Sequence, residues 1–264
     1  MNCPFCSAPN PDNILFGLFS PFLPSVMTLL SFAIATPAVL HESKKEIDMN
    51  NPVYNIKRAA PLPGFEKLSI KDFSGADAVT LCEAVGGGRP SEKTEVRLLW
   101  DAKSLYACFV MEAGNPEAKL TEHDGNLYDE SVAELFIDPL GLGRVYYELQ
   151  VNPLNAAFDA LIINDTQNNR RGPRFQGFRS WNPKSFLHRS DYDKAARQWV
   201  VFLAVDFTDL FLSQNIPPKP GDVWRANILR INGFAPKQEL NAWSPPLVPD
   251  FHNIKAFGTW RFAE

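Results

Sequence analysis

The sequence predicts an all-β protein: an antiparallel β-sandwich of two packed sheets, jelly-roll or immunoglobulin-like, with one or two short helical turns. Three observations carry this. Roughly ten short stretches alternate apolar and polar residues with period two, separated by turn residues at regular spacing. Twenty-two prolines against 15 glycines interrupt the chain too often for long helices. Twenty Phe, six Tyr and six Trp supply ample core material, and 45% hydrophobic against 21% charged residues is a globular balance.

The elements follow in order. Residues 49–78 carry Pro52, Pro61, Pro63 and Gly64 and read as an extended lead-in along the domain edge. Residues 79–83 form a short strand before the Gly86-Gly87-Gly88 loop. That loop is no phosphate cradle, because no Lys-Ser/Thr follows at the needed spacing. Residues 95–100 and 105–111, joined by a turn at 101–104, read as a hairpin. After a polar loop over 115–129, residues 131–138 place Val132, Glu134, Phe136 and Asp138 on one face and Ala133, Leu135 and Ile137 on the other. Residues 145–152 return with Tyr146, Glu148, Gln150 and Asn152 opposite Tyr147, Leu149 and Val151. Residues 156–163 continue the meander, and 164–185 read as long and irregular. Strands follow at 199–206, 222–232 and 258–262, and 207–212 is the best helical turn.

The first 48 residues stand apart from the domain over 49–264. Residues 13–41 hold no Asp, Glu, Lys or Arg, and the first basic residue is Lys44. The stretch is long enough to span a bilayer, yet Pro21, Pro24 and Pro37 interrupt it as a helix. It also lacks the positive start of an export signal. Three readings stay open: an atypical signal or anchor, an over-extended start with initiation at Met27 or Met49, or a structured part of the domain. The first places the protein outside the cytoplasm, with membrane contact only if the segment is an anchor. Initiation at Met49 keeps it inside.

Composition and motifs exclude several classes. A net charge of −4, with no basic stripe interleaved with aromatics, argues against a nucleic-acid partner. Cys3 and Cys6 lack the second half of a zinc motif. Cys82 and Cys108 are free thiols or, in an exported chain, a disulfide. His41, His123, His188 and His252 do not pair at metal-ligand spacing. No nucleophile elbow is present.

What remains is a set of rings, acids and amides on adjacent strands. Trp100, Trp199, Trp224 and Trp260 read as core. Tyr128 and Trp243 lie in polar, turn-rich stretches and read as either loop anchors or stacking platforms. Rings that cover C–H faces, with Glu, Gln, Asn and Arg to satisfy hydroxyls, suit a saccharide. A merely solvated sheet face explains Glu134, Asp138, Glu148 and Gln150 as well. Glu134 and Glu148 also make a candidate hydrolase pair, which needs carboxyls about 5–10 Å apart. A haem held by Met111 and a histidine is a third alternative.

The run Asp129-Glu130-Ser131-Val132-Ala133-Glu134-Leu135-Phe136-Ile137-Asp138-Pro139 resembles the family 9 carbohydrate-binding modules. So do Tyr147-Glu148-Leu149-Gln150-Val151-Asn152-Pro153, Trp224–Arg230, Ala242-Trp243-Ser244-Pro245, His252 and Phe257-Gly258. The likeness covers about residues 54–264. It implies a sandwich that grips an oligo- or polysaccharide, often at a chain end, between two rings without cleaving it, and in some members a structural calcium. By position Tyr128 resembles one ring, Trp243 the other, and Glu134 the acid that bonds ring hydroxyls. Gln150, Asn152, Asn227 and Arg230 would line the same cleft. Three departures stand out: Tyr128 replaces the usual Trp, Phe202 stands where the family often has an acid, and the long segment over 164–185 has no clear counterpart.

Overall fold

The structure, a computed structural model, describes residues 51–164 and 175–264. The expectations for residues 1–48, including Cys3, Cys6 and His41, and for the middle of the 164–185 segment lie outside the described residues. Fourteen strands follow one another: β1 Val53–Arg58, β2 Val79–Thr80, β3 Cys82–Glu83, β4 Thr94–Trp100, β5 Ser104–Glu112, β6 Val132–Asp138 and β7 Val145–Val151. Then come β8 Ala157–Ile163, β9 Gln176–Phe178, β10 Leu187–Asp193, β11 Gln198–Asp206, β12 Val223–Asn232, β13 Glu239–Ala242 and β14 Gly258–Phe262. Four single 3-10 turns, at Phe65–Lys67, Ile70–Phe73, Leu127–Asp129 and Ile254–Ala256, are the helical content of the described residues. The predicted helical turn over 207–212 is instead a series of hydrogen-bonded turns, in which Asp209 N donates to Asp206 O and Leu210 N to Phe207 O.

The strands run β10-β11-β5-β4 in a first sheet and β14-β12-β6-β7-β8-β9 in a second. β1 joins them. Its first four residues pair with β14 and its last two with β4, both in parallel, so the expected lead-in is a strand shared by two sheets. The other ladders are antiparallel. β10 escapes a hydrophobicity reading because its sequence, LHRSDYD, is an edge strand with half-exposed positions.

Turn chemistry sets the registers. Asp101 Oδ1 accepts from Lys103 N and Ser104 N, both at 2.7 Å, and closes the β4–β5 hairpin. Asp138 does the same between β6 and β7: its Oδ1 accepts from Gly141 N at 2.9 Å and its Oδ2 from Gly143 N at 2.6 Å. Both glycines have positive φ, where a side chain would be strained. Burial pushes the Asp138 carboxyl up to about 6, even though these amides and Arg225 pull it down.

Between the sheets lies the main core. Ala133, Leu135, Ile137, Tyr147, Leu149 and Val151 of the second sheet meet Val96, Leu98, Phe109, Trp199 and Val201 of the first, with Trp100, Trp224 and Trp260 fully enclosed. The alternation read in the sequence for β6 and β7 holds residue by residue. A smaller cluster on the outside of the first sheet explains Phe202: its ring packs against Phe73 at 6.0 Å beneath the Ile70–Phe73 turn, with Arg189 over it at 4.5 Å. Cys82 and Cys108 are free. Burial pushes the Cys108 thiol up to about 12. No helix among the described residues is long and apolar enough to cross a membrane.

Candidate functional site

The outer face of the second sheet is not a wet face. Val132, Phe136, Tyr146, Phe158, Leu229 and Ile231 form a second apolar cluster there, covered by Leu127, Phe251, Ile254 and Phe257 from loops. Within this cover a cavity of about 430 Å³ opens, a size common for small-ligand sites. Tyr128, Phe136, Phe158, Phe175, Phe251 and His252 supply its rings, and Glu134, Glu148, Arg179, Gln238 and Asp250 its polar groups.

Register places the two acids. Glu134 lies opposite Gln150, and Phe136 opposite Glu148. Gln150 is fully buried, and its amide Nε2 donates to Glu134 Oε1 at 2.8 Å and to Glu148 Oε1 at 2.6 Å. One amide thus holds two carboxylates side by side at the cavity floor. Charge-assisted bonds of this type are the strong ones.

The rings are fixed as firmly. Tyr128 meets Phe158 edge to face at 5.9 Å, and its hydroxyl accepts from Arg179 Nη2 at 3.0 Å. The Arg179 guanidinium lies 5.2 Å from the Phe158 ring and also donates to Asp124 O and Asn126 Oδ1. Gln238 Nε2 donates to Tyr128 O at 2.7 Å. Across the cavity His252 stacks on Phe136 at 4.9 Å and meets Phe175 at 4.5 Å. Its Nδ1 shares a 2.6 Å hydrogen bond with Tyr146 Oη, and Asn164 Nδ2 donates to both Tyr146 Oη and His252 O.

Of the seven residues expected at the site, Tyr128 and Glu134 line the cavity, and Gln150 lies directly beneath the acids. Four are elsewhere. Asn152 is at the end of β7, where Nδ2 donates to Glu130 Oε1 and Leu120 O while Oδ1 accepts from Leu154 N and Ala156 N, locking a turn. Asn227 is tied to the backbone of Ser244 and Ile228. Arg230 and Trp243 face the opposite side of the sheet. Side chains on a strand alternate, so Asn227 and Arg230, three apart, cannot share a face. Arg230 pairs in register with Ala133, a core residue, and reaches across to Thr94 Oγ1 at 3.0 Å and Glu92 Oε2 at 2.9 Å. Trp243 N donates to Ile228 O, which puts the indole among the core side chains. The ring is 8% exposed, lies edge-on to Tyr54, and packs so closely on Gly258 that a Cβ there would come within 2.6 Å of Cη2. It is therefore a packing residue rather than a stacking platform.

Sequence reasoning missed Phe158, Arg179, Gln238 and Phe175 as lining residues. Phe158 was within reach, since it shares its face of β8 with Ala160 and Ile162. Arg179 follows β9, in the segment read as irregular. Met111, the axial residue of the haem alternative, is fully buried between the sheets. Among the described residues, the grouping of three metal-ligating side chains is His123, Asp124 and Asp159. Burial, with the Asp124 charge adding, pushes the Asp159 carboxyl up to about 7. A nitrogen and two carboxylates are not the all-oxygen shell that calcium takes.

Similarity to known proteins bears on the fold and the family. The chain is 25% identical over 184 residues, 64% of its length and 78% of the relative's, to an extracellular protein of Arthroderma benhamiae (strain ATCC MYA-4681 / CBS 112371). Its fold is similar to that of a candidate carbohydrate-binding protein of Bacteroides uniformis ATCC 8492. That match has a TM-score of 0.64 and 15% identity, covering 80% of this chain and 98% of that one. A family 9 carbohydrate-binding module of Caldicellulosiruptor kristjanssonii matches in its cellotriose complex (TM-score 0.57, 10% identity, 80% and 94% covered). The glucose complex matches too (TM-score 0.55, 10% identity, 80% and 95% covered). The sequence model of carbohydrate-binding family 9 matches residues 91–262, from just before β4 to the end of β14, and the chain belongs to that family.

Proposed function

We propose that the domain over residues 49–264 binds a saccharide non-catalytically, at a chain end, in the cavity on the outer face of β6, β7 and β8. One observation carries this reading: Glu134 and Glu148, oriented by a shared Gln150 amide, form the floor of a cavity walled by aromatic rings. Carboxylates accept strongly from sugar hydroxyls, and rings such as Tyr128, Phe158 and Phe175 cover C–H faces. Arg179 supplies donors. Asn152, Asn227, Arg230 and Trp243 serve as scaffold. Rigid walls favour affinity because little side-chain freedom is lost on binding. No cofactor enters the binding step.

The protein works outside the cytoplasm, which the extracellular relative supports. It serves as an accessory to glycoside-hydrolysing systems and does not itself cleave, so Glu134 and Glu148 bind rather than act as acid and nucleophile.

The test is calorimetric titration of the whole chain with glucose, cello-oligosaccharides and their reduced (alditol) forms, alongside Glu134→Gln. Saturable binding is expected, lost on reduction of the end. The variant should bind about 10- to 150-fold more weakly, the worth of one charged hydrogen bond. Binding that Glu134→Gln leaves intact would move the site elsewhere, and release of reducing sugar would favour the hydrolase.

A further inference from the structure

Behind the cavity, on the other side of β8, lies a group of side chains that saccharide binding does not use. Asp159 alternates with Phe158 and Ala160, so its carboxylate points away from the cavity, on the face that carries Leu161 toward the inter-sheet core. The side chain is 2% exposed. Oδ2 lies 2.9 Å from His123 Nε2, and Oδ1 is buried with no hydrogen-bond partner among the described residues. His123 Nδ1 lies 3.5 Å from Asp124 Oδ2. One ligand atom from each of the three residues falls within 4.8 Å of the other two. The 120–130 loop is docked here by two hydrogen bonds: Asp124 N donates to Ala157 O, and Asp159 N donates to the Asp124 side-chain Oδ1. Arg179 Nη1 holds the same loop through Asp124 O.

An orphaned, buried carboxylate oxygen is costly unless something supplies positive charge. His123 meets the other oxygen, Oδ2, with a half-exposed ring. One imidazole nitrogen and two carboxylates, open to solvent on one side, are the donor set of a zinc-class ion with three protein ligands and a water. Bonds of about 2.0–2.2 Å in tetrahedral geometry require the nitrogen and oxygen to part to about 3.4 Å, a small swing of the exposed ring.

We propose that His123, Asp124 and Asp159 bind one divalent transition-metal ion of the zinc class. The ion clamps the loop that carries Tyr128 onto β8. This assignment stands on the cluster itself and does not depend on the saccharide reading.

The test is isothermal titration of the intact chain with zinc chloride, and separately with calcium chloride, comparing wild type, His123→Ala and Asp159→Asn. His123 is exposed enough that its removal leaves the fold intact, and Asp159→Asn keeps the buried shape. Wild type is expected to take one zinc per chain. Each variant should weaken binding by more than the roughly 10–100-fold that loss of an outer-shell partner costs. Cobalt(II) in place of zinc should give a visible band that His123→Ala abolishes. Zinc binding that survives in both variants, no saturable binding by wild type, or calcium bound as tightly as zinc regardless of His123 would each overturn the assignment.

Discussion

The two faces of the second sheet are made by the same strands and differ in almost every respect. The inner face presents Ala133, Leu135, Ile137, Leu149 and Val151 to the first sheet, with Arg230 on β12 and Asp159 on β8 as buried charged groups. The outer face mixes Phe136, Tyr146 and Phe158 with Glu134, Glu148 and Gln150 and keeps a cavity open among them. Residue type alone misassigns both sides. Trp243 and Arg230 are the kinds of residue that sugar sites favour, and register sends them inward. Phe158 looks like core, and register turns it toward the cavity. In a sheet, role follows parity before chemistry.

The hardest test of this division is Trp243→Ala. An inner-face indole that is 8% exposed should cost about 3–5 kcal/mol of stability on truncation. Urea unfolding measures this as a fall in midpoint. Trp243→Phe, which keeps the domain folded, should bind saccharide with nearly wild-type affinity. Should the alanine variant instead keep its stability and lose binding, Trp243 belongs to the site and the two-face division fails.

A second test concerns the turn that sets the β6–β7 register. Asp138 titrates near 6 in the fold against an ordinary 3.8, so the native state holds this proton more tightly than the unfolded chain. Its contribution to stability is fully present below about pH 4 and is lost as pH rises through about 6. Asp138→Asn removes the titration. Between pH 4 and 7 the stability of wild type relative to the variant should fall by about 2–2.5 kcal/mol. Paired denaturation curves across that range measure it. A difference that stays flat means that the amides of Gly141 and Gly143, with Arg225, hold the carboxyl near its ordinary value.

Much of this was legible in the sequence. Period-two alternation in β6 and β7 correctly separates core from cavity, because a strand buried on one side by another sheet has its parity written in its apolar residues. The resemblance carried the family. Of the residues expected at a site, Tyr128 and Glu134 line the candidate cavity and Gln150 lies beneath it, but loops decide which outward residues line it. Arg179 and Gln238 reach Tyr128 from segments 51 and 110 residues away in sequence, and no local pattern announces such meetings. The strands β1 and β10 were missed for opposite reasons. β1 is shared between two sheets, and β10 is an edge strand with a polar sequence.

The smallest expected effect separates the ring of Tyr128 from its hydroxyl. Tyr128→Phe removes the acceptor that Arg179 reaches at 3.0 Å, while the edge contact with Phe158 is kept. Arg179 retains Asp124 O and Asn126 Oδ1, so the loop should stay in place. The loss should be about 1 kcal/mol in saccharide binding, roughly fivefold in affinity, with no change in unfolding midpoint. Tyr128→Ala also removes the stacking surface and should weaken binding further, by about another 1 kcal/mol. Equal losses in the two variants, read by the same titration, would mean that the hydroxyl–Arg179 contact positions the site and the ring itself never touches the sugar. The second wall would then have to come from Phe158 or Phe175.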